Sequence, residues 1–123
     1  MKNIEKYIVN EHIQGDPLHE SNLDDVLDLV NEFRLSFPQK TIWLYTGFTW
    51  EELMKYEYGS IYINNVNADG LRQAIISQCD VLIDGRYIDS QRDITLPWRG
   101  SSNQRVIDIQ KSLQKGEIVL WQT

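Results

Sequence analysis

The sequence predicts an α/β domain with a mainly parallel sheet. Two short, nearly continuous apolar runs, Thr41–Gly47 and Asp80–Gly85, have the composition of strands that are covered on both faces. Segments with apolar residues at helical spacing alternate with these runs, which is typical of parallel sheets. With 123 residues, the chain is expected to form a single domain over residues 1–123.

The first two predicted elements are helices. Apolar residues at helical spacing predict the first helix over Asn3–Ile13. After a Gly-Asp-Pro turn, Ser21 or Asn22 is expected to cap a second helix, which ends before Pro38. The apolar stripe of this second helix consists of Leu23, Val26, Leu27, Val30 and Phe33.

The remaining elements follow the first apolar run. A capping-box sequence, Thr49-Trp50-Glu51-Glu52, predicts a helix that continues to about Tyr56. Leu71–Gln78 is expected to be helical, and Ile118–Trp121 to be the last strand, whereas residues 105–117 are ambiguous. The sequence therefore predicts about three strands, most of them parallel.

Composition excludes several classes of function. A formal net charge of −6 and an isoelectric point near 4.8 disfavour nucleic-acid binding, because phosphate neutralisation needs clustered Lys and Arg. No apolar run is long enough to cross a membrane, and the N-terminus is too charged for a signal peptide. These observations predict a cytoplasmic protein that contacts neither membrane nor nucleic acid.

Metal-ligating side chains are few in this sequence. Cys79 is the only cysteine, which excludes an intramolecular disulfide, and His12 and His19 are the only histidines. Zinc and iron–sulfur sites need three or four such ligands at short spacing, so we predict that the chain has no metal site of its own. Cys79 is interpreted as a small buried hydrophobe, and the histidines as structural residues.

Ligands of parallel α/β sheets bind beyond the carboxyl ends of the strands. Thr46-Gly47 and Asp84-Gly85 follow the two predicted strands, and Gly15-Asp16-Pro17 would join them if a strand preceded it. For Thr46-Gly47, local features suit a ligand-binding role and a plain strand-to-helix turn equally well, whereas for Asp84-Gly85 they favour the plain turn.

The most unusual segment is the loop Leu96–Arg105, which combines an indole and two guanidinium groups with small and amide side chains. Arg99 has the geometry to bind a carboxylate or phosphate with two hydrogen bonds. A solvated loop seldom concentrates such residues, so a functional loop is favoured. Its candidate residues are Trp98, Arg99, Gly100, Ser101, Ser102, Asn103 and Gln104.

Four stretches, in this order, carry a family resemblance: GDPLHESN, TIWLYTGFTWEEL, DVLIDGRY and LPWRGSSNQRVIDIQKSL. Over about residues 11–121 the chain resembles the activating proteins of anaerobic ribonucleoside-triphosphate reductase, which are radical S-adenosylmethionine oxidoreductases. The resemblance implies a partial (β/α) barrel. In the family, a Cys-x3-Cys-x2-Cys loop binds a [4Fe-4S] cluster, which cleaves S-adenosylmethionine to make a glycyl radical on the large catalytic subunit of the reductase.

The resemblance also assigns site residues. Gly15-Asp16-Pro17 matches the end of a Gly-Gly-Asp/Glu-Pro motif, whose backbone and acid meet the methionyl amino group. The implied S-adenosylmethionine-binding rim consists of Gly15, Asp16, Pro17, Thr46, Gly47 and Asp84. The loop Trp98–Gln104 matches a family loop that either contacts the substrate protein or closes the site.

The departures from the family pattern concern the cluster half. The sequence contains no Cys-x3-Cys-x2-Cys, and Gln14 stands where the first glycine of the motif belongs. The predicted helix runs straight into Asp16, so one strand is expected to be missing, and the exposed sheet edge would favour a homodimer. The chain is therefore expected to be an incomplete, C-terminal portion of an activating protein that is inactive alone. The alternatives are a non-catalytic module that binds the reductase or an adenosyl ligand, and a truncated fragment.

Overall fold

The computed structural model describes residues 6–55 and 68–122, which form a mixed α/β domain. Four strands make one sheet in the order β1-β2-β3-β4. Their bounds are Lys6–Ile8 for β1, Thr41–Tyr45 for β2, Val81–Asp84 for β3 and Arg105–Asp108 for β4. Strands β1, β2 and β3 are parallel, and β4 runs antiparallel to β3. The predicted α/β class with a mainly parallel sheet is confirmed.

Four helices accompany the sheet within the described residues. They are α1 at Leu23–Ser36, α2 at Trp50–Leu53, α3 at Ala68–Ile76 and α4 at Ile109–Lys115. The predicted capping box is confirmed: the Thr49 side chain accepts a hydrogen bond from the Glu52 amide, and the Glu52 carboxylate accepts one from the Thr49 amide. Asn22 occupies the N-cap position of α1 without capping it through its side chain. The predicted end of α2 near Tyr56 lies outside the described residues.

The first predicted helix is wrong within the described residues. Lys6–Ile8 is a parallel edge strand paired with β2, and Val9–His12 is a single turn of 3-10 helix. Tyr7 packs on the helix-covered face of the sheet and Ile8 on the opposite face, which is the alternation of a strand. The strand expected to be missing before the Gly-Asp-Pro turn is therefore present.

The C-terminal region differs from the prediction in the position and direction of its strand. The ambiguous segment contains β4 and α4, and Ile118–Trp121 is not a full strand. A single antiparallel bridge joins Leu120 to Ile107, and the Trp121 amide donates to the Val106 carbonyl at 2.9 Å. The last extended segment therefore lies beside β4 and does not extend the parallel part of the sheet.

The main core lies between the sheet and its helices. Its fully buried members include Leu23, Val30, Ile42, Leu44, Ile75 and Leu82. Arg34 fixes the C-terminal end of α1 to this core. Its guanidinium contacts the Asp80 carboxylate at 2.7 Å and donates to the carbonyls of Gln78 and Lys40 at 2.7 and 2.9 Å.

The opposite face of the sheet is covered by aromatic rings. Trp98 and Trp121 both contact Trp43 edge-on, with centroid distances of 5.3 and 5.8 Å. The Lys6 ammonium lies 4.4 Å from the centroid of the Trp43 ring, within cation–π range. Among the described residues, no helix has both the length and the apolar character needed to cross a membrane.

Candidate functional site

The carboxyl ends of the three parallel strands meet at one edge of the sheet, where the structure has an open cleft of about 270 Å³. We call this space the rim cleft. Residues that line it include Gly15, Asp16, Tyr45, Thr46, Gly47, Gly85 and Tyr87. The structure thus brings together four of the six residues that the sequence assigned to a ligand-binding rim.

Asp16 ties the Gly-Asp-Pro turn to the end of β2. Its carboxylate accepts hydrogen bonds from the Thr46 hydroxyl at 2.9 Å and from the Gly47 amide at 2.8 Å. It also accepts the Leu18 amide of its own turn at 2.9 Å. A carboxylate with three neutral donors fixes the path of the backbone around the cleft.

The turn is also held from the start of α1. The Asn22 side-chain amide donates to the carbonyls of Gln14 and Asp16 at 3.0 and 2.9 Å. Gly15 has a φ of +78°, a conformation that glycine adopts without strain. Pro17, which the sequence also assigned to the rim, is buried beneath the turn and does not line the cleft.

Asn10 continues the pairing of β1 with β2 by means of its side chain. The Asn10 carboxamide accepts the Tyr45 amide at 2.9 Å and donates to the Tyr45 carbonyl at 3.0 Å. It takes the place of a strand residue where the main chain has turned away into the 3-10 helix. Asn10 lines the cleft, and no local feature of the sequence predicts this role.

Asp84 is at the same edge but faces a different environment. Its side chain is 1% exposed and contacts the Arg105 guanidinium at 2.5 Å. It also accepts the Trp50 amide at 2.8 Å, which fixes the first turn of α2. Arg105 reaches Glu51 at 2.6 Å on its exposed side. The hydrogen bond from Arg105 lowers the pKa of Glu51, and the bonds to Asp84 and Glu51 raise the pKa of Arg105.

A second, larger cleft of about 560 Å³ shares Gly47 and Gly85 with the rim cleft. Asp84 and Arg105 line it, together with Glu52 and Arg86. The paired charges of Asp84 and Arg105 line this second cleft, whereas the acidic residue of the rim cleft is Asp16, whose carboxylate accepts hydrogen bonds from neutral donors.

The loop Trp98–Gln104 uses most of its polar groups to hold its own shape. The Gln104 carboxamide oxygen accepts the amides of Gly100 and Ser101 at 3.0 and 3.1 Å, and its nitrogen donates to the Gly85 carbonyl at 3.0 Å. The Asn103 carboxamide donates to the Arg86 carbonyl at 2.7 Å. The loop is therefore fastened to the turn that follows β3.

Arg99 and Trp98 do not reach the rim cleft. The Arg99 guanidinium donates to the Gln104 carbonyl within the loop, and Trp98 packs on Trp43 with a left-handed φ of 65°. Ser102 is exposed, and its hydroxyl donates a hydrogen bond to the side-chain carbonyl of Gln91. The prediction that Arg99 binds an anion stays a prediction.

Cysteine and histidine side chains offer no cluster site in the described residues. Cys79 is fully buried, and its thiol donates to the Ile75 carbonyl at 3.3 Å. Burial raises the pKa of this thiol, which disfavours the thiolate that iron requires. His12 stacks on Tyr7, and His19 accepts the Ser21 amide. No group of three or more Cys, His, Asp or Glu residues within residues 6–55 and 68–122 is placed to hold a metal.

Sequence reasoning missed Tyr87 as well as Asn10. Tyr87 is 51% exposed and lines the rim cleft two residues after Gly85. The order Asp-Gly-Arg-Tyr could have indicated Tyr87, because a residue that follows a strand-ending glycine so closely lies at the same edge of the sheet as the strand end.

A family model and several curated proteins are similar to this chain. Residues 5–107 match the family model described as a 4Fe-4S single cluster domain. An anaerobic ribonucleoside-triphosphate reductase-activating protein of Vibrio cholerae is 42% identical over 90 residues, which is 73% of this chain and 48% of the relative. The Escherichia coli K12 protein of the same name is 36% identical over 92 residues, or 75% of this chain and 50% of the relative.

A phage relative matches a longer stretch. The protein of the same name from Enterobacteria phage T4 is 30% identical over 112 residues, which is 86% of this chain and 60% of that protein. The chain spans about half the length of the bacterial relatives it matches. No solved structure matches it.

Proposed function

We propose that this chain acts in the activation of an anaerobic ribonucleoside-triphosphate reductase. The chain belongs to the 4Fe-4S single cluster domain family and is homologous to the activating proteins of such reductases. Its part is to hold an adenosyl ligand at the rim cleft and to contact the large reductase subunit. It does not carry the iron–sulfur cluster on its own residues. The observation that supports the proposal is that four of the six predicted rim residues line one cleft, whereas the single cysteine of the sequence is buried.

The residues of this chain do not fit a [4Fe-4S] cluster. Cluster irons are held by Cys thiolates, and the only cysteine of the sequence is buried, has a pKa raised by that burial, and donates a hydrogen bond to a helix carbonyl. A single thiol of this kind cannot replace three thiolates. The chain alone therefore does not reduce S-adenosylmethionine, and a cluster has to come from another polypeptide or from a further segment.

The rim residues do fit part of a small ligand. S-adenosylmethionine, when bound, supplies an adenosylated sulfonium, and Gly15 and Gly47 offer bare backbone that such a ligand can approach closely. Asp16 has three donors already, so its role is to position Gly47 and the turn, and not primarily to pair with the methionyl ammonium. This differs from what the family motif implies for the acid.

The wider architecture follows from the same proposal. The three parallel strands would be part of a partial (β/α) barrel, whose further strands pair with the outer side of β1, the end strand of the sheet in the described residues. A second copy of the chain at that edge, as a homodimer, is the competing occupant. The location that suits an anaerobic reductase and an acidic chain is the cytoplasm.

Calorimetric titration of the iron-free chain with S-adenosylmethionine tests the ligand-binding part. Binding is expected, and it should weaken in Gly47→Val, because a Cβ at position 47 would lie 3.4 Å from the Asp16 carboxylate and 3.6 Å from the Arg86 side chain, so a branched side chain there displaces the groups that border the cleft. Lack of binding at millimolar ligand would overturn this part of the proposal.

Anaerobic reconstitution with iron and sulfide tests the cluster part. We expect far less iron and sulfide than a cubane requires, and the same low content in the matched variant Cys79→Ala. A stoichiometric cluster in the wild-type chain would overturn the statement that the chain carries none.

A non-catalytic module that only binds the reductase is the second candidate. It is favoured by the loop Trp98–Gln104, which is held in shape by internal hydrogen bonds and still exposes Gly100 and Ser102 at the surface, where a partner can contact them. A pull-down with the large subunit, together with the titration above, separates the two: reductase binding without ligand binding supports the module, and no complex counts against both.

A further inference from the structure

The lining of the rim cleft combines glycines and aromatic residues with polar residues whose side chains bond to the protein itself. Its glycines are Gly15, Gly47 and Gly85, and its aromatic side chains are Tyr45 and Tyr87. The polar side chains beside them are engaged within the protein: Asp16 with Thr46 and Gly47, and Asn10 with Tyr45. Such walls favour a flat, weakly polar group over a charged one.

Tyr87 is held at the cleft by two contacts. Its hydroxyl donates to the Asp89 carboxylate at 3.1 Å. Its ring packs so closely on Gly100 that a Cβ at that position would lie 3.1 and 3.3 Å from two ring carbons. Because real Cβ atoms seldom come so near, any other residue at position 100 would shift the ring.

Gly100 is itself fixed relative to the cleft. Its amide donates to the Gln104 side chain, which also donates to the carbonyl of Gly85. One glutamine therefore connects the backbone that supports the Tyr87 ring with the backbone that lines the cleft. This geometry gives the loop Trp98–Gln104 a role as the support of one cleft wall.

We propose that Tyr87 is a ligand-binding residue of the rim cleft, that its ring stacks on a planar heteroaromatic ring such as adenine, and that Gly100 is its positioning residue. The proposal rests on the proposed function, since it names the part of the adenosyl ligand that the cleft takes. A volume of about 270 Å³ is below the ~300–1,000 Å³ of pockets for whole drug-sized ligands, and it suits one ring system.

The test titrates the iron-free chain with S-adenosylmethionine, 5′-deoxyadenosine and methionine. Stacking on an aromatic side chain is worth roughly tenfold or more in affinity, so Tyr87→Leu should bind both adenosyl compounds about tenfold more weakly. Tyr87→Phe keeps the ring and should stay within about twofold of wild type. Gly100→Ala should weaken the same two ligands, because the displaced ring no longer lies where Gly100 holds it.

A ring-current measurement separates stacking from a merely structural effect. The adenine C2 and C8 protons of bound 5′-deoxyadenosine should shift upfield in the wild-type chain and in Tyr87→Phe, and lose that shift in Tyr87→Leu. Phe37→Leu is the matched control, because Phe37 is an aromatic residue of similar exposure, 45%, outside the cleft. Circular dichroism confirms that each variant is folded.

The outcomes separate this inference from the proposed function. If wild type binds the adenosyl compounds and Tyr87→Leu binds them equally well with the same proton shifts, the role of Tyr87 is overturned while ligand binding stands. If wild type binds neither compound, both proposals fail. If methionine binds as tightly as 5′-deoxyadenosine, the cleft takes the amino-acid part, and the assignment to the ring is overturned.

Discussion

Two acidic turns, one after β1 and one after β3, lie at the same edge of the sheet on either side of β2, and they use their carboxylates in opposite ways. Asp16 is partly exposed, and within the described residues its carboxylate accepts hydrogen bonds from neutral donors, two of which are in Thr46 and Gly47, directly after β2. Asp84 is 1% exposed and is paired with the Arg105 guanidinium. In sequence the two turns look alike, as Gly-Asp and Asp-Gly.

Burial accounts for the difference. A carboxylate that keeps contact with water remains hydrated in part, so hydroxyl and amide donors complete its solvation. A carboxylate at the position of Asp84 loses nearly all its water and needs a counter-charge, which β4 supplies by returning antiparallel with Arg105 as its first residue. The Asp16 carboxylate therefore stays partly open to water at the rim cleft, whereas the Asp84 carboxylate is used to hold β4 and the start of α2 together.

The largest expected effect comes from removing the counter-charge of Asp84. Arg105→Met should lower the free energy of unfolding by about 3 kcal/mol, because it leaves a buried carboxylate unpaired. Chemical denaturation measures the loss, and Arg105→Lys should fall between the variant and wild type, since it keeps the charge and loses the bidentate geometry. A loss below about 0.5 kcal/mol, the range of ordinary surface changes, would remove the distinction between the two turns.

A smaller and more local effect is expected at the other turn. Asp16→Ala leaves the donors of Thr46, Gly47 and Leu18 without their acceptor, but water can reach them, so the loss should be about 1–2 kcal/mol. Amide hydrogen exchange should accelerate at Gly47 and Leu18 in this variant and not in Arg105→Met. The control is Asp28→Ala, on the exposed side of α1. Equal exchange at Gly47 in Asp16→Ala and wild type would contradict the role of Asp16.

The sequence predicted well what local patterns determine. The run at β2, the Asp80–Gly85 run at β3, the apolar stripe of α1 and the capping box at Thr49 are each encoded within a few residues, and the structure contains them all. The interpretation of Cys79 as a buried hydrophobe is confirmed for the same reason, since it precedes a fully buried strand.

The errors concern pairing between distant segments. Tyr7 and Ile8 fit a helical spacing as well as they fit a strand, and only pairing with Ile42 and Trp43, more than thirty residues away, decides between them. β4 was ambiguous because its direction depends on the pairing of Arg105 with Asp84. At the rim, Asn10 and Tyr87 were missed because their roles depend on contacts with Tyr45 and Gly100 that no local motif records.

The smallest expected effect concerns pH and the exposed arm of Arg105. Hydrogen bonding from Arg105 lowers the pKa of Glu51 in the folded chain, so the pair stabilises the fold above about pH 4.3, the value for an unfolded Glu, and this contribution is lost as the pH falls through the lowered pKa. Because the Glu51 side chain is 64% exposed, solvent screening keeps the contribution below about 1 kcal/mol. Denaturation of wild type and Glu51→Gln should therefore differ slightly at pH 7 and converge once the pH has fallen below the lowered pKa of Glu51, while Glu32→Gln, on α1, provides the control. A difference that persisted at acid pH would mean that Glu51 acts through packing. Convergence would mean that Glu51 contributes only a small, pH-dependent part of the stability that Arg105 provides. The larger part would then come from the buried pair of Arg105 with Asp84.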